Sequence, residues 1–208
     1  FDAAGDYIFL IDEAHNLPDR TRAMYSARFC KSSLTDARRA IGKGKSALKT
    51  ALTKADKGFL EARRAVTKLA PRRGPAPTEP PMEDLTQQTS LLDTEPAETA
   101  IPLPEPLLAQ DGTVFLQELP KELLRLLFSL QAPLQDWLEA NQEADAHAQL
   151  LELYFAVQDI ARAAERYDAH FVTQLTARGS ELEWELLCLD PAPFVDASLA
   201  AGRAAALF

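Results

Sequence analysis

Three side chains near the start of the chain carry the types and spacing that could do chemistry: Asp12, Glu13 and His15, set directly after the apolar run Ile8-Phe9-Leu10-Ile11. An apolar run bounded this way reads as a buried strand. Ligands collect at the carboxyl edge of a parallel sheet, so a strand tip is a rigid place to offer carboxylates. In nucleoside-triphosphate hydrolysis one carboxylate at such a tip holds Mg²⁺, and a neighbouring polar group positions the attacking water. Asp12 suits the magnesium role and Glu13 that of the water-activating base. His15 would report the state of the site to the rest of the molecule. No G-x-x-x-x-G-K-[ST] loop, which would cradle the phosphates, occurs in the 208 residues. The chain holds half of such a site and reads as an internal piece of a larger enzyme.

A strand running into Asp-Glu-Ala-His and leaving through Asn16-Leu17-Pro18 is the pattern of the second nucleotide-handling motif, Walker B, of helicase-type ATPases. The elements that must position it follow from composition and periodicity. Length allows one sizeable core, or a core with an appendage. No apolar run reaches membrane-spanning length, and no signal peptide is visible. Two cysteines, Cys30 and Cys188, lie far apart with no C-x-x-C pattern, and with His15, His147 and His170 they give no metal-ligand spacing. Free thiols in a reducing cytoplasm are the expectation.

The net charge of −9 conceals a segregated layout. Residues 20–73 hold 16 Lys/Arg against 3 Asp/Glu, whereas residues 74–208 hold 6 bases against 23 acids. An asymmetry this steep points to an anionic partner for the first block.

Along the chain, Met24 to Phe29 suggests a short strand leaving the core. Ser33 then opens a helix with Asp36 three residues on, a partial capping box. Leu34, Ile41, Leu48, Ala55, Ala62 and Leu69 recur every seven positions, with Leu52, Phe59 and Val66 filling the stripe. The other faces carry Arg38, Arg39, Lys43, Lys45, Lys49, Lys54, Lys57, Arg63, Arg64 and Lys68. Gly42, Gly44 and Gly58 weaken the segment, leaving one long kinked helix or two. Residues 71–110 form a Pro-rich mobile linker, since nine of the fourteen prolines fall in 71–106. Helical spacing resumes over 121–138 and about 143–167. Residues 171–177 and 182–189 flank Arg178-Gly179-Ser180-Glu181 as a β-hairpin. Asp190 caps a last helix beginning at Pro191, with 195–206 as its body.

These features together resemble the XPD/DinG-type superfamily-two DNA helicases, in their bacterial form. The resemblance is specific at residues 6–16 and rests elsewhere on topology and length. It implies a mainly α chain with a small α/β portion: a helical Arch domain inserted into an incomplete RecA-like parallel sheet, plus a β-hairpin. Residues 1–20 would be the DEAH strand of the first motor domain, 21–70 a basic arm of the Arch, 111–168 the Arch helices, and 169–208 the hairpin and helix returning to the motor. Asp12, Glu13 and His15 would be the DEAH box of an ATP-dependent 5′→3′ helicase acting in DNA repair. The parent would bind ATP, Mg²⁺ and a 4Fe–4S cluster, and would sit in the cytoplasm with the nucleoid. This stretch lacks the phosphate loop, the cluster cysteines and the following Ser/Thr-Ala-Thr strand, so alone it would neither hydrolyse ATP nor hold the cluster. The strand at 7–11 and the segment after Leu207 should be neighbours in one parallel sheet.

Two readings attach to the basic stripe. It could line the path of single-stranded or forked DNA, neutralising phosphates without reading sequence, or it could be a solvated face pairing with the acidic second half. Gln88-Thr89-Ser90-Leu91-Leu92 resembles the Q-x-[SD]-L-[FL] peptide by which bacterial replication proteins dock on the sliding clamp, with Gln88, Leu91 and Leu92 as its anchors. Rival classes are a non-enzymatic helical module that binds nucleic acid or protein, and a DEAH-type RNA helicase fragment.

Overall fold

The computed structural model describes residues 8–42, 46–71, 101–200, 202 and 204–207. Among them lie six α-helices and two sheets, one of two strands and one of five. The chain opens with β1 (Ile8–Ile11), a 3₁₀ turn at Ala14–Asn16 and α1 (Leu17–Tyr25). Pro18 in the first turn of α1 suits a helix start, where its missing N–H leaves no bond unmade. The strand expected over Met24 to Phe29 is therefore corrected: its first two residues end α1, and β2 spans Ala27–Cys30.

The basic segment forms two helices, α2 (Lys31–Ala40) and α3 (Ala47–Leu69). α2 begins two residues before Ser33, so the expected capping box does not form there. Gly42 ends the first helix at φ 67°, a left-handed backbone that glycine adopts without a Cβ clash. Ser46 starts the second by accepting the Lys49 N–H at 3.1 Å.

β3 (Pro106–Gln110) and β4 (Thr113–Leu116) follow, which corrects the linker expected over 71–110 at residues 106–110, while its residues 72–100 lie outside the described residues. Their turn is Asp111-Gly112, at φ 48° and 82°. After α4 (Lys121–Ala140) and α5 (His147–Glu165) come β5 (Phe171–Arg178) and β6 (Glu181–Cys188), the expected hairpin. It is the centre of an antiparallel sheet ordered β2-β6-β5-β4-β3. α6 (Ala192–Ala200) has its Ala192 N–H capped by Asp190 Oδ1 at 3.0 Å. It ends earlier than expected, and β7 (Ala204–Leu207) pairs in parallel with β1, Ile8 facing Ala204 and Ile11 facing Leu207. The parallel neighbour of the first strand thus lies at 204–207, just before the position expected for it.

The core sits where α3 crosses β4, β5 and β6, with α4 packed on α3 and α5 on α4. Phe29, Phe59 and Trp184 fill its centre, with ring centroids 5.2 and 6.2 Å apart along the row. Leu34, Leu52, Leu127, Leu130, Leu134 and Leu150 are fully buried around them. The heptad stripe is this buried face, while Ile41 and Leu69 lie at helix ends and stay partly open. No helix among the described residues is long and apolar enough to cross a membrane.

Candidate functional site

Strand β1 shows how the first motif is held. Phe9 and Ile11 face α1 and α6 across an apolar cavity of about 160 Å³. Ile8 and Leu10, on the opposite face, are 65 % and 72 % exposed. Strand β1 thus has one clad face and one bare apolar face, although parallel strands are normally covered on both.

At the carboxyl end of β1 the chain turns sharply. Glu13 takes φ 52°, ψ 44°, the left-handed region that costs a residue with a Cβ about 1–2 kcal/mol. Asp12 Oδ1 accepts the Glu13 N–H at 2.8 Å, and Glu13 O accepts the Asn16 N–H at 2.9 Å. The turn throws all three side chains into solvent, and Glu13 Oε2 lies 3.2 Å from His15 Nδ1. One Asp12 oxygen is thus engaged by backbone and the other is open to a ligand. Strain of this kind is concentrated at sites where geometry matters more than stability.

The ten basic candidates separate. Arg38 reaches Asp56 at 3.0 Å, and Asp56 also takes Lys31 Nζ at 2.7 Å and the Thr35 hydroxyl at 3.3 Å. Arg39 pairs with Asp36, one helical turn back. These acids belong to the basic block itself, not to the acidic second half. Lys49 donates to the Gly42 carbonyl, tying the two helices together. Arg63 donates to the Gly179 carbonyl in the β5–β6 turn, with its Nε buried and without an acceptor among the described residues. Lys54, Lys57, Arg64 and Lys68 are exposed. Their spacing puts them on the outer face of α3, opposite the buried stripe, over about 21 Å at 1.5 Å per residue. Lys43, Lys45, Gln88, Leu91 and Leu92 lie outside the described residues.

The cysteines are set into the antiparallel sheet, Cys188 buried and Cys30 half-buried. Burial pushes both thiols above their ordinary range. Two thiols cannot supply the four thiolates of a 4Fe–4S cluster, so no step here runs through one. Among the described residues no group of three or more His, Cys, Asp or Glu is placed to hold a metal.

Periodicity could not show the left-handed turn at Glu13, because nothing in Ile-Asp-Glu-Ala asks for positive φ. The hairpin β3–β4 did have a signal, Asp111-Gly112, one of the dipeptides favoured in a tight type I′ turn. No protein-family model and no curated protein matches this chain.

Proposed function

We propose that the chain is the helical insertion, with the adjoining strip of motor domain, of an ATP-driven 5′→3′ DNA helicase of the XPD/DinG kind, and that it supplies the Walker B carboxylates. The observation that carries this reading is the parallel pair β1–β7, which opens after Ile11 and closes at Ala204 around the whole helical body, with Asp12 and Glu13 at its carboxyl end.

In this reading Asp12 offers its free oxygen to the Mg²⁺ that accompanies bound ATP. Glu13 accepts a proton from the attacking water at Oε. Its carboxylate already stands within hydrogen-bond reach of His15 Nδ1, so His15 is placed to feel whether Glu13 is engaged. The phosphate loop, the cluster ligands and the remaining strands would come from other parts of the enzyme. The bare face of Ile8 and Leu10 favours this over an independent helical module, since two parallel strands alone bury too little to be stable.

The outer face of α3 is assigned to the DNA backbone. Neutralising three phosphates of a single strand with Lys54, Arg64 and Lys68 gives an affinity that falls with salt at a log–log slope of about −2. The sliding clamp, reached through Gln88, Leu91 and Leu92, belongs to the same proposal.

The test is DNA-stimulated ATP hydrolysis by the whole enzyme and by its Glu13→Gln variant. The substitution should lower kcat by about a hundredfold or more while nucleotide binding persists. Equal turnover in both forms would remove the role given to Glu13.

A further inference from the structure

A cavity of about 440 Å³ lies outside the nucleotide motif, between the C-terminal turn of α1 and the C-terminal turns of α5. Its walls carry Tyr25 and Ser26 on one side and Asp159, Arg162 and Arg166 on the other. The half of the chain that supplies α5 holds only 6 bases among 23 acids, and two of the six meet here.

Arg166 is held on several sides without being neutralised. Its guanidinium carbon sits 5.9 Å from the centroid of the Tyr25 ring, which is backed by Phe194 at 4.5 Å. One Nη donates to the Arg162 carbonyl at 3.1 Å. No carboxylate stands within ion-pair distance of Arg166 among the described residues. Arg162 bonds Asp159 at 2.5 Å, so two guanidinia face one carboxylate. The Ser26 hydroxyl accepts the Cys188 N–H at 3.0 Å, which leaves its own proton to give.

Both helices end here, and their C-termini contribute about half a negative charge each. That charge is spread over the last carbonyls. At the end of α5 it is already met by the Arg166 backbone N–H and by the Arg162–Arg166 bond. Arg162 and Arg166 both line the cavity. Guanidinium forks and a hydroxyl donor match the several acceptor oxygens of a phosphoryl group. The volume falls in the range of ligand-sized sites, about 300–1,000 Å³, and exceeds what one oxyanion fills.

We infer that this cavity is an anion site for a nucleotide phosphoryl group, held by Arg166 and Arg162 with Ser26 as a third donor. The group could arrive on a free nucleotide or on a nucleic acid strand. The inference does not depend on the ATPase reading, because no residue of the first motif lines the cavity.

The 208-residue chain is titrated calorimetrically with inorganic phosphate, thymidine 5′-monophosphate and a twelve-residue oligothymidylate. Arg166→Gln and Arg162→Gln should each weaken binding by about tenfold or more, the loss of a charge-assisted hydrogen bond. Arg166→Lys, which keeps the charge but not the fork, should recover part of it. Arg125→Gln, at an exposed pair with Glu122 on α4, serves as the control and should bind as wild type. Variant-sensitive binding of the monophosphate identifies a free nucleotide as the source. Binding of the oligonucleotide alone, lost in the same variants, identifies a strand. Either outcome supports the site. Should Arg166→Gln fail to fold by circular dichroism, Arg162→Gln carries the comparison. Unchanged affinity in the folded variants, or no binding of any probe, overturns it.

Discussion

Replacing Asp56 by asparagine removes the one carboxylate that two cations of the basic block share. Its side chain is 14 % exposed, and that of Lys31, bound at 2.7 Å, is 13 % exposed. Arg38, at 3.0 Å, is 35 % exposed and so is partly screened by water. Two unit charges about 4 Å apart at an effective dielectric of about 20 interact by roughly 4 kcal/mol. Removing one partner of a fully buried pair costs about 3–5 kcal/mol, mostly because the survivor is stranded. Asparagine can still accept from Lys31, and Arg38 can turn outward, so the expected loss is about 2–3 kcal/mol. For a domain of this size that lowers Tm by roughly 5–10 °C. Urea unfolding followed by circular dichroism is the assay, with the midpoint falling and the slope unchanged. Asp36→Asn breaks an exposed pair with Arg39 and should cost less than about 0.5 kcal/mol. The double variant Lys31→Met, Asp56→Leu should be more stable than Asp56→Asn, because it strands no charge on Lys31. An Asp56→Asn protein within about 0.5 kcal/mol of wild type would refute the claim that this acid joins α2 to α3.

Gly58 on α3 faces Leu126 of α4: a Cβ there would stand 2.2 Å from Leu126 Cδ1 and 3.1 Å from Ile101 Cδ1. Gly58→Val should therefore destabilise by about 1–3 kcal/mol in urea despite the better helix propensity, and Leu126→Ala in the same chain should recover part of that. Burial raises the Cys30, Cys188 and Tyr167 groups above their ordinary values in the folded state. The unfolded chain then loses these protons first, so stability is intact below about pH 8.5 and declines as pH rises through the folded-state values. Cys188→Ala should flatten that decline in denaturant titrations run from about pH 8 to 11.

The amphipathic helices and the hairpin were legible because each is a long segment with one period. Leu123, Leu127, Leu130 and Leu134 mark a buried face that only a helix makes, and β6 alternates over eight residues beside the Gly179 turn. The flanking strands were less legible, for a physical reason: the strand expected over Met24 to Phe29 meets β2 only at 27–29, and β3 and β4 were not expected. β2 and β4 are four residues long, and β3 begins at a proline inside the Pro-rich stretch. Their place in the sheet is decided by pairing with the hairpin, Phe29 beside Trp184 and Val114 beside Leu175, and no local pattern encodes a partner. Among the bases, composition showed the excess of charge but not its use. Arg38 and Arg63 lie on the same segment as Arg64. Which cation is consumed by Asp56 or by the Gly179 carbonyl depends on what the fold brings opposite.

The parallel pair β1–β7 sets the order in which the molecule can be assembled. Its strands are separated by about 190 residues, and closing a flexible loop of that length costs roughly 5 kcal/mol beyond the contact constant. Eight paired residues cannot offset that from an unfolded chain. Once the antiparallel sheet and its helices have formed, the clamp of Arg22 Nε on the Leu189 carbonyl, at 3.1 Å, and the Tyr25–Phe194 stack hold α1 beside α6. The two strands then meet at almost no further entropic cost. The last step of folding is therefore the one that sets Asp12 and Glu13 at a paired strand end. A change that breaks the contacts holding α1 beside α6 would return the loop-closure cost to that strand end.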